Sequence, residues 1–234
     1  MMAGSSNGFK GSLPPIDPGS PHVPCVLLVD ISGSMNGLPL EELKEGLRIF
    51  GETIKEDEMA VTRADICVFA FNSSVNEVVP FVPAKEFWVP SLNSSGMTAM
   101  NQAILCGIEA IKARKREYAR HGIPYYRPWL FLLTDGQAND DSYEVQAKTE
   151  LSNMINNKKL SFFPMGIGNH VDYKMLESYC SGNGHYFKAS RENFKNTFLW
   201  LSNSLSAISN SSPGESVNLP PTPQEITIIT VPSK

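Results

Sequence analysis

Residues 27–35 read Leu-Leu-Val-Asp-Ile-Ser-Gly-Ser-Met, an apolar run that ends in an Asp-x-Ser-x-Ser cluster. The apolar part predicts a buried strand of a parallel sheet. Asp30, Ser32 and Ser34 then place one carboxylate and two hydroxyls in a single turn, where Gly33 is expected to relieve backbone strain. Hard cations such as Mg2+ prefer oxygen ligands and need more of them than one turn supplies. The stretch therefore predicts half of a divalent-metal site.

Two later segments have the character needed to complete that site. Residues 95–100 read Ser-Gly-Met-Thr-Ala-Met and open a helical pattern with a hydroxyl at its start. Residues 129–136 read Trp-Leu-Phe-Leu-Leu-Thr-Asp-Gly, a second buried-strand pattern that ends in a carboxylate. Binding groups in open α/β sheets gather at the carboxyl ends of the strands, and Asp30 and Asp135 both follow such strands.

Together these three segments resemble the von Willebrand factor A (VWA) family and its metal-ion-dependent adhesion site (MIDAS). In that family an Asp-x-Ser-x-Ser turn, a Thr in a second loop and an Asp in a third loop share one ion. The sequence departs from the family at Met97, where Gly usually precedes the Thr. The resemblance implies Mg2+ or Mn2+ as the ion. The ligands that it implies here are Asp30, Ser32, Ser34, Thr98 and Asp135.

Each segment also has an ordinary structural interpretation when it is taken alone. An Asp-x-Ser-x-Ser cluster is typical of turns, Thr98 is a suitable helix N-cap, and Asp135 with Gly136 suits a strand-terminating turn. The order of the segments, and the two apolar strands that lead into carboxylates, favour the metal site. Asp140 and Asp141 suggest a second metal, but the favoured interpretation is that they cap or begin the following helix.

Three stretches narrow the resemblance within the VWA family. Residues 127–136, 162–167 and 198–206 are similar to stand-alone bacterial VWA proteins of the TerY type. That similarity implies a place in a tellurium-resistance or stress-response system. It also implies phosphatase-like or kinase-like proteins as partners.

Length and composition predict one globular domain. The chain has 234 residues, of which 41% are hydrophobic, enough for one full core. We predict a flexible N-terminal segment at residues 1–23, a VWA domain at 24–209 and a Pro-rich tail or arm at 210–234. The net charge of −4 argues against general nucleic-acid binding. The basic run at residues 112–120 is interpreted as the solvated end of a helix.

Cysteine usage and hydropathy predict a cytoplasmic protein. The four cysteines show no C-x-x-C spacing, which argues against a zinc site and favours reduced thiols. The Gly-, Ser- and Pro-rich start of the sequence lacks the apolar core of a signal peptide, and no run approaches the ~20 apolar residues of a membrane span. No membrane association is therefore expected.

Strand and helix patterns alternate along the chain and predict an α/β, Rossmann-like VWA fold with helices on both faces of the sheet. Most strands are expected to be parallel. Residues 64–71 and 75–82, joined by a three-residue connection, predict one antiparallel edge strand. Residues 226–231 have strong strand propensity and suit pairing with an edge of this sheet or of a partner's sheet; the sequence does not choose between them.

These patterns predict a protein-binding module whose metal accepts an Asp or Glu of a partner in place of a water. The alternative is a metal-dependent hydrolase or phosphatase that uses the same ion as a Lewis acid. No general base is evident, a second Asp does not follow Asp30, and no P-loop follows the first strand, so an enzyme is not expected. The histidines lie outside the three metal segments, at His22, His121, His170 and His185.

Overall fold

The computed structural model describes residues 19–168, 171–180, 184–189, 194–213, 217–224 and 226–230. The predicted flexible segment at 1–23 lies largely outside these residues, as does His170. Within the described part, seven strands form one sheet in the order β3-β2-β1-β4-β5-β6-β7. The strands are β1 (Val23–Asp30), β2 (Ala64–Phe71), β3 (Val75–Pro83), β4 (Trp129–Thr134), β5 (Ser161–Ile167), β6 (His185–Ala189) and β7 (Ile226–Thr230). The helices are α1 (Leu38–Glu56), α2 (Ala60–Arg63), α3 (Met100–Arg120), α4 (Glu144–Asn156), α5 (Tyr173–Ser178) and α6 (Phe194–Ser209).

The centre of the sheet is parallel and buried on both faces. Leu27 of β1 is in register with Val68 of β2 on one side and with Phe131 of β4 on the other. Every residue of β1, β2 and β4 is buried, which explains why these strands are almost continuously apolar in sequence. The predicted fold class is confirmed.

Both edges of the sheet carry an antiparallel strand. β3 pairs antiparallel with β2, which confirms the predicted edge strand. β7 pairs antiparallel with β6 at the other edge, with Ile228 opposite Phe187. The strand-forming segment near the end of the chain therefore pairs with its own sheet. The sequence had left open whether it would pair with this sheet or with a partner's.

Helices cover the two faces in two layers. The apolar stripes of α1 and α6 pack on one face, and those of α3, α4 and α5 pack on the other. α1 and α6 approach closely because Gly46 has no side chain: a Cβ there would lie 2.2 Å from Cδ2 of Phe198. Among the described residues, no helix combines the length and apolar character needed to cross a membrane.

One part of the basic run is not solvated as expected. Arg114 is fully buried, and its Nη2 donates to Oδ2 of Asp65 at 2.8 Å. The hydroxyl of Tyr118 donates to the same oxygen, and Nδ1 of His22 lies 3.1 Å from it. The interpretation of the run as a solvated helix end is wrong at Arg114, because the arginine neutralises a buried carboxylate that lies far away in sequence.

Candidate metal centre

The predicted metal segments form three neighbouring loops at the carboxyl end of the sheet. We call residues 31–37 the first loop, 91–99 the second loop and 135–140 the third loop. The N–H of Gly33 donates to the carbonyl of Gly96 at 3.0 Å, and Ser95 N donates to Ile31 O at 3.0 Å. These two bonds fix the first loop against the second.

Gly33 has a different role from the one expected. Its φ lies outside the left-handed region, so it relieves no backbone strain. A Cβ on Gly33 would instead lie only 3.3 Å from the carbonyl oxygen of Gly96. The glycine thus permits the close approach of the two loops.

The structure brings the predicted ligand residues together. The hydroxyl oxygens of Ser32 and Ser34 are 3.1 Å apart, and Ser34 Oγ donates to Oδ1 of Asp135 at 2.6 Å. The backbone N–H of Ser32 donates to Oδ1 of Asp30 at 2.8 Å. Thr98 Oγ1 and Ser34 Oγ flank the third loop, since each would lie 3.8 Å from a Cβ placed on the glycine after Asp135. One cluster therefore contains two carboxylates and three hydroxyls.

Electrostatics at this cluster favour an added cation. The pKa of Asp30 is raised to about 6, mainly because the carboxyl is buried; the charge of Asp135 adds to the shift, and hydrogen bonds from Ser32 and Thr134 oppose it. The three loops contain no Lys or Arg that would balance the two carboxylates. An all-oxygen donor set of this kind suits a hard divalent ion such as Mg2+ or Mn2+.

Carboxylates alone do not complete this donor set. Among the described residues, no group of three or more His, Cys, Asp or Glu side chains is arranged to hold a metal. A cation bound by Asp30 and Asp135 must therefore take further oxygens from serine, threonine or water. The residues present fit the ion that the sequence predicts, and their role as ligands stays a prediction.

Thr134 is a site residue that the sequence analysis missed. Its hydroxyl donates to Oδ2 of Asp30 at 2.6 Å and accepts from the N–H of Gly136 at 3.3 Å. Thr134 thereby connects the carboxylate at the end of β1 to the third loop at the end of β4. Its position at the end of an apolar strand, directly before Asp135, was the available sequence signal.

Asn139 holds the second loop against the third. Its N–H donates to the carbonyl of Thr98 at 2.9 Å, and its Oδ1 accepts from the N–H of Thr98 at 3.1 Å. This reciprocal pair fixes the backbone of Thr98 on both sides. The Thr hydroxyl is therefore positioned by the third loop, although Met97 replaces the Gly usual before it.

Asp141 begins the 3-10 helix Asp141–Tyr143 that leads into α4, as predicted, whereas the side chain of Asp140 caps a different helix. The Asp140 carboxylate accepts from Asn101 N at 3.2 Å, from Asn101 Nδ2 at 3.0 Å and from Gln102 N at 2.8 Å, all at the start of α3. Tyr179 donates to Oδ1 of Asn101 at 2.5 Å. We call this set the Asp140 clamp. Thr98 does not cap α3 either, because Ala99 occupies the N-cap position.

The described histidines lie away from the three loops. His22 belongs to the buried cluster around Asp65, at the opposite end of β2 from the metal centre. His121 follows α3 and lies 3.0 Å from Glu117, and His185 begins β6. None of these three imidazoles is therefore placed as a general base for a reaction at the ion.

Comparisons with known proteins agree with this geometry. A family model described as the von Willebrand factor type A domain matches residues 25–199. Human inter-alpha-trypsin inhibitor heavy chain H3 is 31% identical over 172 residues, which cover 70% of this chain and 19% of that protein. The chain thus spans about a fifth of the length of this curated relative.

Two solved structures share the fold at low sequence identity. A von Willebrand factor type A protein from Catenulispora acidiphila has a TM-score of 0.60 at 16% identity, covering 80% of this chain and 43% of that one. Proximal thread matrix protein 1 from the mussel byssus, with a zinc-occupied MIDAS motif, has a TM-score of 0.54 at 15% identity, covering 80% and 48%. Likeness at these identities concerns the fold.

Proposed function

The chain belongs to the von Willebrand factor type A domain family, and on that premise we propose that it is a metal-dependent protein-interaction module. Domains of this family bind partner proteins and hold a divalent metal at the MIDAS. One observation carries the proposal for this chain: two buried carboxylates and three hydroxyls meet at one edge of the sheet, in loops that contain no basic side chain.

The proposed ion is Mg2+ or Mn2+. A set of two carboxylates and three hydroxyls leaves a six-coordinate ion with one position for an exchangeable water. When bound, the ion supplies such a position to an Asp or Glu of the partner. Zinc is a further candidate, because it occupies the MIDAS of the mussel protein. The proposed ligands are Asp30, Ser32, Ser34, Thr98 and Asp135.

Calorimetric titration of the metal-stripped protein tests this proposal. Mg2+, Mn2+ and Zn2+ are each titrated into the wild type and into Asp30→Ala and Asp135→Ala. We expect saturable binding in the wild type and its loss in both variants. The matched control is Asp141→Ala, which removes an equal charge from an exposed position just beyond the third loop. Unchanged binding in Asp30→Ala and Asp135→Ala contradicts the proposed ligand set.

We further propose that the module acts in the cytoplasm within a TerY-type tellurium-resistance or stress-response system. This proposal rests on the similarity of residues 127–136, 162–167 and 198–206. It predicts that a phosphatase-like or kinase-like protein is retained by the immobilised protein with Mg2+ and released by chelation. Deleting the gene is expected to increase sensitivity to tellurite, and unchanged growth contradicts this assignment.

We propose no enzymatic activity for the module. Members of this family related to the chain are interaction domains, and the described histidines lie outside the metal loops. The assay is hydrolysis of p-nitrophenyl phosphate with Mg2+ or Mn2+ by the wild type and Asp30→Ala. Turnover that depends on Asp30 would support the hydrolase alternative.

A further inference from the structure

Exposed apolar side chains are concentrated on the segments that surround the metal centre. In the described part of the chain, seven large apolar residues are exposed. Four of the seven lie within or just beyond the three loops, and we call them the apolar rim. They are Leu38 (71% exposed), Met97 (58%), Tyr143 (40%) and Val145 (78%).

Leu38 directly adjoins the first loop and Met97 lies in the second loop, and these two loops are in contact. Leu38 directly follows the first loop, and Asn36, two residues before it, accepts a hydrogen bond from Ser94 at 3.2 Å. Met97 directly precedes Thr98, and its N–H donates to Ser73 Oγ at 2.9 Å. The backbone on which Met97 stands is thereby fixed, while its side chain remains in solvent.

Tyr143 and Val145 follow the third loop. The N–H of Tyr143 donates to the carbonyl of Asp140 at 3.0 Å, and the side chain of Asp140 is bound to the start of α3, next to Thr98. The Asp140 clamp therefore keeps the start of α4, where Val145 lies, close to the second loop. Exposed apolar side chains therefore stand on backbone segments within or next to all three loops.

The negative charge around the metal centre distinguishes partners with one acidic residue from partners with several. The loops contain no Lys or Arg, and Asp140 and Asp141 add two carboxylates to those of the metal centre, whereas Glu144 is paired with Lys148. With a divalent ion bound, the charges of Asp30 and Asp135 are balanced, so a partner with several acidic residues is repelled by Asp140 and Asp141. A single carboxylate of the partner can bind the ion. Apolar side chains next to that carboxylate can then pack on the apolar rim and bury it.

We propose that the apolar rim and the metal centre form one recognition surface for a protein segment with a single Asp or Glu flanked by apolar side chains. The proposal rests on the metal-dependent interaction function above and specifies its partner. The ion binds the carboxylate, and the apolar rim contacts the residues on both sides of it and favours apolar ones. Runs of acidic residues are excluded by charge.

A displayed peptide library with a fixed central Asp and three random positions on each side provides the probe. Selection on the immobilised protein is done in Mg2+ and in EDTA. We expect Mg2+-dependent enrichment of Leu, Ile, Met, Phe, Tyr and Val at the flanking positions, and depletion of Asp and Glu there. Acidic or featureless flanks overturn the proposal, as does absence of Mg2+-dependent enrichment in a protein that binds Mg2+.

Variants separate the rim from the ion. The quadruple variant Leu38→Ser, Met97→Ser, Tyr143→Ser and Val145→Ser is expected to keep the Mg2+ affinity of the wild type and to bind a selected peptide at least 10-fold more weakly. The control Ile228→Ser removes an exposed apolar side chain on β7, at the edge of the sheet, and is expected to leave peptide binding unchanged. Equal peptide affinity in the quadruple variant and the wild type overturns only the role of the apolar rim and leaves the metal-dependent function standing. Failure of the wild type to bind Mg2+ overturns the underlying function as well.

Discussion

Replacing Asp140 by Ala is expected to weaken Mg2+ binding although Asp140 is not among the proposed ligands. The carboxylate accepts three hydrogen bonds from Asn101 and Gln102 at the start of α3. Those bonds hold the second loop, and with it the hydroxyl of Thr98, at the metal centre. Loss of a partner that orients a metal ligand typically weakens metal affinity about 10–100-fold.

The same substitution is expected to lower stability. Removing a side chain that caps a helix costs about 1–2 kcal/mol. The amide of Asn101 is buried, and leaving a buried polar group without its partner costs about 1–3 kcal/mol. Because the bond from Tyr179 to Asn101 is kept, we expect a decrease of about 2–4 kcal/mol in the free energy of unfolding.

Urea unfolding and calorimetric titration of Mg2+ measure the two effects separately. Asp141→Ala is the matched control, because it removes an equal charge from the adjacent, exposed residue. Asp140→Asn keeps one acceptor oxygen and is expected to fall between the wild type and Asp140→Ala. Wild-type Mg2+ affinity in a destabilised Asp140→Ala would show that the clamp only caps α3. Equal loss of affinity in Asp140→Ala and Asp141→Ala would show that overall charge, not the clamp, sets the affinity.

Three further predictions concern stability. Burial opposes ionisation of Asp65, but contacts with His22 and Arg114 outweigh it and lower the pKa of this carboxyl. Its stabilising effect is therefore present above the unfolded pKa and is lost as pH falls through the lower folded value. We expect the wild type to lose more stability than Asp65→Asn in acid unfolding below about pH 4, and parallel curves would refute this. Gly46→Ala, which places a Cβ against Phe198, is expected to lower the free energy of unfolding in urea by about 1–3 kcal/mol, and an unchanged midpoint would mean that α1 and α6 separate readily. Deleting residues 211–234 removes β7 and with it a buried isoleucine, Ile226, whose burial stabilises the fold by about 1.5–3 kcal/mol. Calorimetry is expected to show a melting temperature lower by about 3–12 °C. An unchanged transition would reject docking of β7.

Local patterns in the sequence were sufficient for the fold class and for the meeting of the metal segments. β1 and β4 are apolar runs that end at Asp30 and Asp135, and adjacent parallel strands bring their carboxyl ends to one edge. The three-residue connection between the second and third strands likewise predicted their antiparallel pairing. Each of these features depends on residues that are close in sequence, or on the fixed geometry of neighbouring strands.

The tertiary structure alone decided contacts whose partners are far apart in sequence. Asp140 caps α3 instead of the helix that follows it, and Arg114 is buried against Asp65. No period or motif reports such pairs, because they depend on distances that are set when helices and loops pack on the sheet. The pairing of β7 with β6 is of the same kind: strand propensity made the segment suitable for an edge, and only the packed sheet determined which edge had room for it.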